Sequence, residues 1–153
     1  MPRHSALLLA LFLPLLASAG DDLGPTATAQ HLFDAMSAHD VNAARALFIP
    51  EATLVSVRAD GKPTVVPIEK WLEHLGTSKD AWLERMWNAK VLESSGLAVV
   101  WADYDFHLNG KFSHCGIDSF NLVKLDAQWK ISGVSYTAQT AGCSPSPLGP
   151  PSK

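Results

Sequence analysis

Asn109-Gly110 sits between two long runs rich in β-branched and aromatic residues, and it constrains the fold more than any other feature of the chain. Both central residues of a two-residue hairpin of this kind must accept positive φ, and Asn-Gly is the pair that does so most readily. Ser94-Ser95-Gly96 and Asp126-Ala127 punctuate the same half of the chain. Together they predict strands over 83–92, 97–108, 111–124 and 128–138, a meander of consecutive antiparallel neighbours.

The preceding half carries a different period. Ala29, Leu32, Phe33 and Met36 recur at helical spacing, predicting a helix from Thr26 or Thr28 to about His39. Asp40 is placed to cap a short second helix with Val41, Ala44, Leu47 and Phe48 on its apolar side. Thr53, Val55 and Val57 alternate in a first strand, Ala52 to Arg58, and Thr64 to Val66 forms a brief second one. Pro67 opens a third helix, where its missing N–H costs nothing, and Gly76 is its expected C-terminal cap. Helices followed by a meander of long strands predict an α+β fold, a curved antiparallel sheet wrapped as a cone around three N-terminal helices.

Met1 to Ala19 has the tripartite pattern of a secretory signal peptide: Arg3, an apolar Ala6–Leu16 stretch, then Ala17-Ser18-Ala19. That stretch is about half the roughly 20 residues a bilayer-spanning helix needs. The domain reading is a signal over 1–19, a flexible mature N-terminus over 20–25, one domain over 26–143, and a disordered Pro/Ser-rich tail over 144–153. A periplasmic or secreted location follows. Loss of Arg3 takes Lys plus Arg from 12 to 11 against 15 acidic residues, so the net charge moves from −3 to −4. A mildly acidic chain without a basic cluster argues against a nucleic-acid partner, and against a membrane partner after cleavage. Cys115 and Cys143 are the two cysteines, and an oxidising compartment favours their pairing over a reactive Cys115 thiol.

Turn geometry extends to a register. A tight Asn109-Gly110 loop places Asp105 opposite His114 and Trp101 opposite Asp118; a tight Asp126-Ala127 loop places Asp118 opposite Ser135. One face would then hold Leu97, Val99, Trp101, Asp103, Asp105, His107, His114, Asp118, Phe120, Leu122, Trp129, Ile131 and Ser135. Apolar at one end and polar at the other, it suggests a small-molecule pocket with Trp101, Phe120, Trp129, Ile131 and Ser135 as ligand-binding residues. His114 would act as base with Asp105 orienting it, and Asp103 or Asp118 as acid. Two readings compete: Asp103 and Asp105 at a wet rim with His114 structural, or a metal held by Asp103, Asp105, His107 and His114. The opposite face would carry Ala98, Val100, Tyr104, Phe106, Val134 and Tyr136 as a homodimer patch, with Cys115 on the same side. His31, His39 and His74 are read as solvated or rim residues.

The stretch Gly96 to Phe106, then Gly110-Lys111-Phe112-Ser113-His114-Cys115-Gly116, Asp118-Ser119-Phe120, Trp129-Lys130-Ile131 and Tyr136-Thr137, resembles the nuclear transport factor 2-like superfamily, in its SnoaL-like or putative lumazine-binding bacterial branch. Leu32-Phe33 and the Asp40, Leu47-Phe48, Pro50 pattern fit its opening helices. The resemblance spans about residues 26–143 and implies a cone-shaped α+β barrel, a pocket that works without a cofactor or metal, and dimers through the outer sheet. Its members include ketosteroid isomerases, polyketide cyclases, dehydratases and non-catalytic proteins. The isomerase set is incomplete here, because no Tyr lies on the apolar face of the first helix. Three functions follow as expectations: an exported small-molecule-binding protein, a cofactor-independent lyase or isomerase, and a structural dimer or accessory domain.

Overall fold

The computed structural model describes residues 23–151, so the signal-peptide reading lies outside the described residues. Helix α1 spans Pro25–Ala38 and α2 Val41–Ala46; strands β1 (Phe48–Arg58) and β2 (Pro63–Pro67) precede α3 (Ile68–Thr77). Strands β3 (Trp82–Ser94), β4 (Leu97–Leu108), β5 (Lys111–Leu125) and β6 (Gln128–Ala138) complete one six-stranded sheet in the order β2-β1-β6-β5-β4-β3. Among the described residues only β1 and β6 pair in parallel, which folds the sheet's first strand back beside its last. The architecture is the expected α+β cone.

Local chemistry explains the helix ends. Pro25 occupies the first turn of α1, where its N–H would be unpaired anyway, and Thr28 Oγ1 donates to Gly24 O. Asp40 caps α2 by accepting from Ala43 N at 2.9 Å. Gly76 is not the cap of α3, which runs on to Thr77 and ends at Ser78. Its lack of a side chain serves packing instead: a Cβ there would come within 3.0 Å of Val41 Cγ2 on α2. His39 is more than a rim residue. In the left-handed region at φ 52°, it ends α1 and sets its ring nitrogens 3.0 and 2.9 Å from the carbonyls of Leu75 and Asp80.

The three hairpins joining β3 to β6 turn in two residues with positive φ, at Asn109-Gly110 and Asp126-Ala127 as predicted, and at Ser95-Gly96 within the expected Ser94-Ser95-Gly96. The register inside the strands differs from the predicted one. Leu108 faces Lys111 and His107 faces Phe112, but Phe106 then faces His114, so Ser113 is an extra residue in β5. Beyond it Asp105 pairs with Cys115 and Ala102 with Asp118. The same happens in β6: Leu122 faces Ile131 while Asn121 faces Gly133, leaving Ser132 as the bulge. One added residue reverses every side chain beyond it relative to its neighbour.

The core therefore lines up β4's even positions with β5's expected inner face. Ala98, Val100, Phe120, Leu122 and Ile131 are at most 1% exposed, beneath Leu32, Phe33 and Met36 of α1 and Leu72 and Leu75 of α3. Small Ala98 and Ala102 leave room for α1 to lie close to the sheet. Val134 is core, and Phe106 packs against it, rather than forming a dimer patch. Cys115 faces outward as expected and is bonded to Cys143.

Candidate functional site

Where the cone widens beyond this core, a cavity of about 280 Å³ remains. Its apolar walls come from Leu32, Phe33 and Met36 on α1, Trp71 on α3, and Trp82, Phe106 and Phe120 on the sheet. The aromatic rings brace one another: Trp71 and Trp82 centroids lie 6.4 Å apart, Trp82 and Phe106 6.1 Å, Phe33 and Phe120 5.8 Å. His74 and Asp80 stand exposed at the rim, with His74 5.3 Å from the Trp82 ring.

The inner end is polar. Glu84 from β3, His114 and Asp118 from β5 and Tyr136 from β6 converge there. Glu84, paired with Phe106, and Asp118, paired with Ala102, reach each other diagonally across β4. Asp118 is 2% exposed, and its Oδ2 meets no N–H or O–H donor among the described residues. Beside the Asp118 carboxyl lies that of Glu84, and two carboxyls bond only when one carries a proton. Burial pushes Asp118 up to about 8 despite its hydrogen bond with Glu84. Burial, reinforced by Asp118, holds Glu84 well above the usual range as well. The two titrate as a pair that shares a proton.

Neighbouring groups supply no counter-charge. Burial, then the Arg58 charge, lowers His114 below its ordinary value, so the imidazole is neutral at pH 7. Its Nδ1 lies 3.0 Å from Ser113 Oγ, and its ring stacks with Tyr136 at 6.4 Å. Burial raises the Tyr136 phenol. Tyr104 lies behind the pair and donates to Thr137 O at 2.8 Å. Its path passes Gly116, where a Cβ would collide with that same carbonyl oxygen.

The expected site is thus split between two faces of the sheet. Of the sequence-predicted residues, His114, Asp118 and Phe120 line the cavity. Asp105 does not meet His114: the Ser113 bulge turns it to the outer face, where Arg85 grips it through Nε at 2.9 Å and Nη2 at 2.5 Å. Burial raises the Asp105 carboxyl, but Arg85 and then His107 outweigh it, and the group lies below the usual range. Asp103 is also outside, accepting from Asn88 Nδ2 at 2.9 Å. Trp101 is on the outer face and 51% exposed, and the Ser132 bulge turns Ser135 outward in favour of Val134 and Tyr136. Trp129 and Ile131 face inward but belong to the closed apolar core, away from the cavity. The proposed metal ligands fall on both faces, and no cluster suited to a metal occurs among the described residues.

Sequence reasoning missed Glu84, Tyr136, Trp71, Trp82 and Phe106. Glu84 had a readable signal: Trp82-Glu84-Met86 is one face of a strand, with a carboxyl flanked by two large apolar side chains. The tail expected to be disordered makes contact with the sheet, where Arg85 Nη1 donates to Gly149 O at 2.9 Å.

No curated protein matches the chain by sequence. Solved structures share the fold at low identity. A nuclear transport factor 2-like protein of unknown function from Shewanella baltica is 18% identical over 76% of this chain and 91% of its own, with a TM-score of 0.58. A cystatin-like protein of unknown function from Nostoc punctiforme is 12% identical over 78% and 96%, at 0.62. A structure described as "Putative Scytalone Dehydratase" from Novosphingobium aromaticivorans is 15% identical over 74% and 80%, at 0.59. The family model described as "Putative lumazine-binding" matches residues 24–137. With the cone, its cavity and this match in hand, the chain belongs to the "Putative lumazine-binding" family, and its fold is the one seen in nuclear transport factor 2-like proteins.

Proposed function

We propose that the protein is an exported small-molecule-binding protein, periplasmic or secreted, whose ligand fills the aromatic-walled cavity and is met by Glu84 and Asp118. One observation carries this reading: a cavity of about 280 Å³ closes on a buried carboxyl pair with an unpartnered oxygen. Burying ionisable groups without a cation costs several kcal/mol, and packing gains nothing from it. Such a pair is the kind of feature a ligand site retains. The outer sheet face, which now presents Trp101, is the surface for a homodimer under this reading. The test is native mass spectrometry of protein from its own exporting cell, with a thermal-shift screen across metabolites. A bound mass or a stabilising compound whose effect is lost in Phe120→Ala supports the reading. A bare mass and a flat screen would sink it.

The shared proton favours a second reading, a cofactor-independent lyase or isomerase. One member of the pair would accept a proton from the substrate while the other donates, with His114 as a neutral hydrogen-bonding partner. Asp105 has no part in it. Asp118→Asn should abolish turnover of an identified substrate, and unchanged turnover in that variant ends the proposal.

A further inference from the structure

We propose that the cavity selects ligands that carry a protonated amine or amidine on a flat apolar body, and rejects carboxylates and phosphates of the same size. The proposal rests on the reading of this cavity as a ligand site. Among its lining residues are three carboxyls, Asp80, Glu84 and Asp118, and neither a Lys nor an Arg. Asp118 Oδ2 is buried and has no hydrogen-bond donor among the described residues. An ammonium or amidinium would supply the missing N–H donors together with the counter-charge. The walls suit the rest of such a molecule. Phe33, Trp71, Trp82 and Phe106 present ring faces and edges to an apolar body, and the indole faces also attract a cation on its way in.

The other charged groups around the pair leave this balance negative. Asp80 at the rim accepts from Asn109 Nδ2 and stays available to a cation entering the mouth. Asp105 acts on Glu84 through the sheet, but Arg85 neutralises it from its own side. Arg58, exposed on β1, acts on His114 and Tyr136 and is outside the cavity lining. His114, lowered by burial, adds no fixed charge, and the Tyr104 and Tyr136 phenols stay protonated.

Docking a cation also changes the pair's protonation. Without a ligand, the burial that raises Asp118 to about 8 keeps a proton between the two carboxyls. An ammonium against Asp118 takes the place of that proton, which leaves to the buffer. A neutral ligand displaces none.

Three probes that differ only at the head group test this: phenethylamine, 2-phenylethanol and 3-phenylpropanoate, titrated at pH 8. Shifts of the Trp71 and Trp82 indole N–H signals report binding in the cavity. The expected result is at least tenfold tighter binding of the amine than of the alcohol and none of the carboxylate, with calorimetry in two buffers showing proton release for the amine alone. In the Glu84→Gln, Asp118→Asn double variant the amine's advantage should shrink to about onefold. Equal binding of amine and alcohol, or tightest binding of the carboxylate, overturns the charge selection and leaves the cavity a ligand site. If no probe moves either indole signal, the selection and the site both fall. Should the double variant not fold, the wild-type series alone decides.

Discussion

The two faces of this sheet bury the same kind of group and treat it in opposite ways. On the outer face Asp105 is 6% exposed and ionised, because Arg85 gives it two hydrogen bonds and a positive charge. On the inner face Asp118 is 2% exposed with a second carboxyl as its neighbour, and burial raises both above the usual carboxylate range. Burial alone therefore does not decide what a carboxyl does in this fold; the presence of a fixed cation does. The outer pair is complete in itself, with the Cys115–Cys143 bond and the Gly149 carbonyl beside it, whereas the inner pair ends in open cavity.

Removing the cation should turn the outer face into a copy of the inner one. Arg85→Met leaves Asp105 buried without its partner, and we expect a loss of about 3–5 kcal/mol in urea unfolding at pH 7. The pH dependence should also change sign. Asp105 has a lowered folded-state pKa, so in the wild type its contribution is present above the unfolded value near 3.8 and lost as pH falls through the lower folded one. Without Arg85, burial raises the group, and stability should instead decline as pH rises past about 4. An unfolding profile that overlays the wild type would show that the bridge does not govern Asp105.

The tether comes next in size. Cys143→Ser opens a link between residues 28 apart in sequence, and the unfolded chain regains about 3–4 kcal/mol of loop entropy. Non-reducing urea melts would read it. If the tail also keeps Arg85 from water through Gly149, the acid limb assigned to Asp105 should weaken in the same variant. An unchanged acid limb would separate the tail from the ion pair.

The inner pair gives the opposite sign. Asp118 has a raised folded-state pKa, so the folded protein holds a proton that the unfolded chain releases above about pH 4, and stability falls from there to about pH 8. Asp118→Asn removes that cost and gives Glu84 an N–H donor. The expected gain is about 2–3 kcal/mol at pH 8 and close to none at pH 4. A variant less stable than wild type at pH 8 would contradict the shared-proton account.

Which carboxyl belongs to which face was the part the sequence hid. The turns were legible because Asn109-Gly110 and Asp126-Ala127 state their backbone geometry in residue type. The inner face of β5 was legible too, since His114, Asp118, Phe120 and Leu122 keep one parity. Strand β4 was ambiguous, because Leu97, Val99 and Trp101 are as apolar as Ala98, Val100 and Ala102 and the binary pattern cannot choose between them. Choosing by counting from the turn then failed at Ser113, a bulge with no Gly or Pro to announce it. Asp105 and His107 misled for a related reason. Both are buried like core residues but on the outer face, Asp105 under the Arg85 side chain that the returning tail meets at Gly149, and His107 against Asp105 and Phe112.

The smallest expected effect probes what holds the second bulge. Between Asn121 and Leu122 the β5–β6 ladder slips, and Ser132 Oγ donates to Asn121 O at 3.0 Å. Ser132→Ala removes that bond from a site water can reach, so the cost should be about 1 kcal/mol in urea unfolding. The register should survive, because a slip of one residue would send Val134 and Tyr136 to the outer face and bring Ser135 against Phe120. Burial of Val134, 5% exposed and packed in the core, outweighs one hydroxyl hydrogen bond. A loss above about 3 kcal/mol, with the Tyr136 ring newly open to solvent by amide and side-chain NMR, would mean the opposite. The hydroxyl would then be setting the register, and the division between the cavity carboxyls and the outer ion pair would depend on a single half-buried serine rather than on the hydrophobic pattern of the sheet.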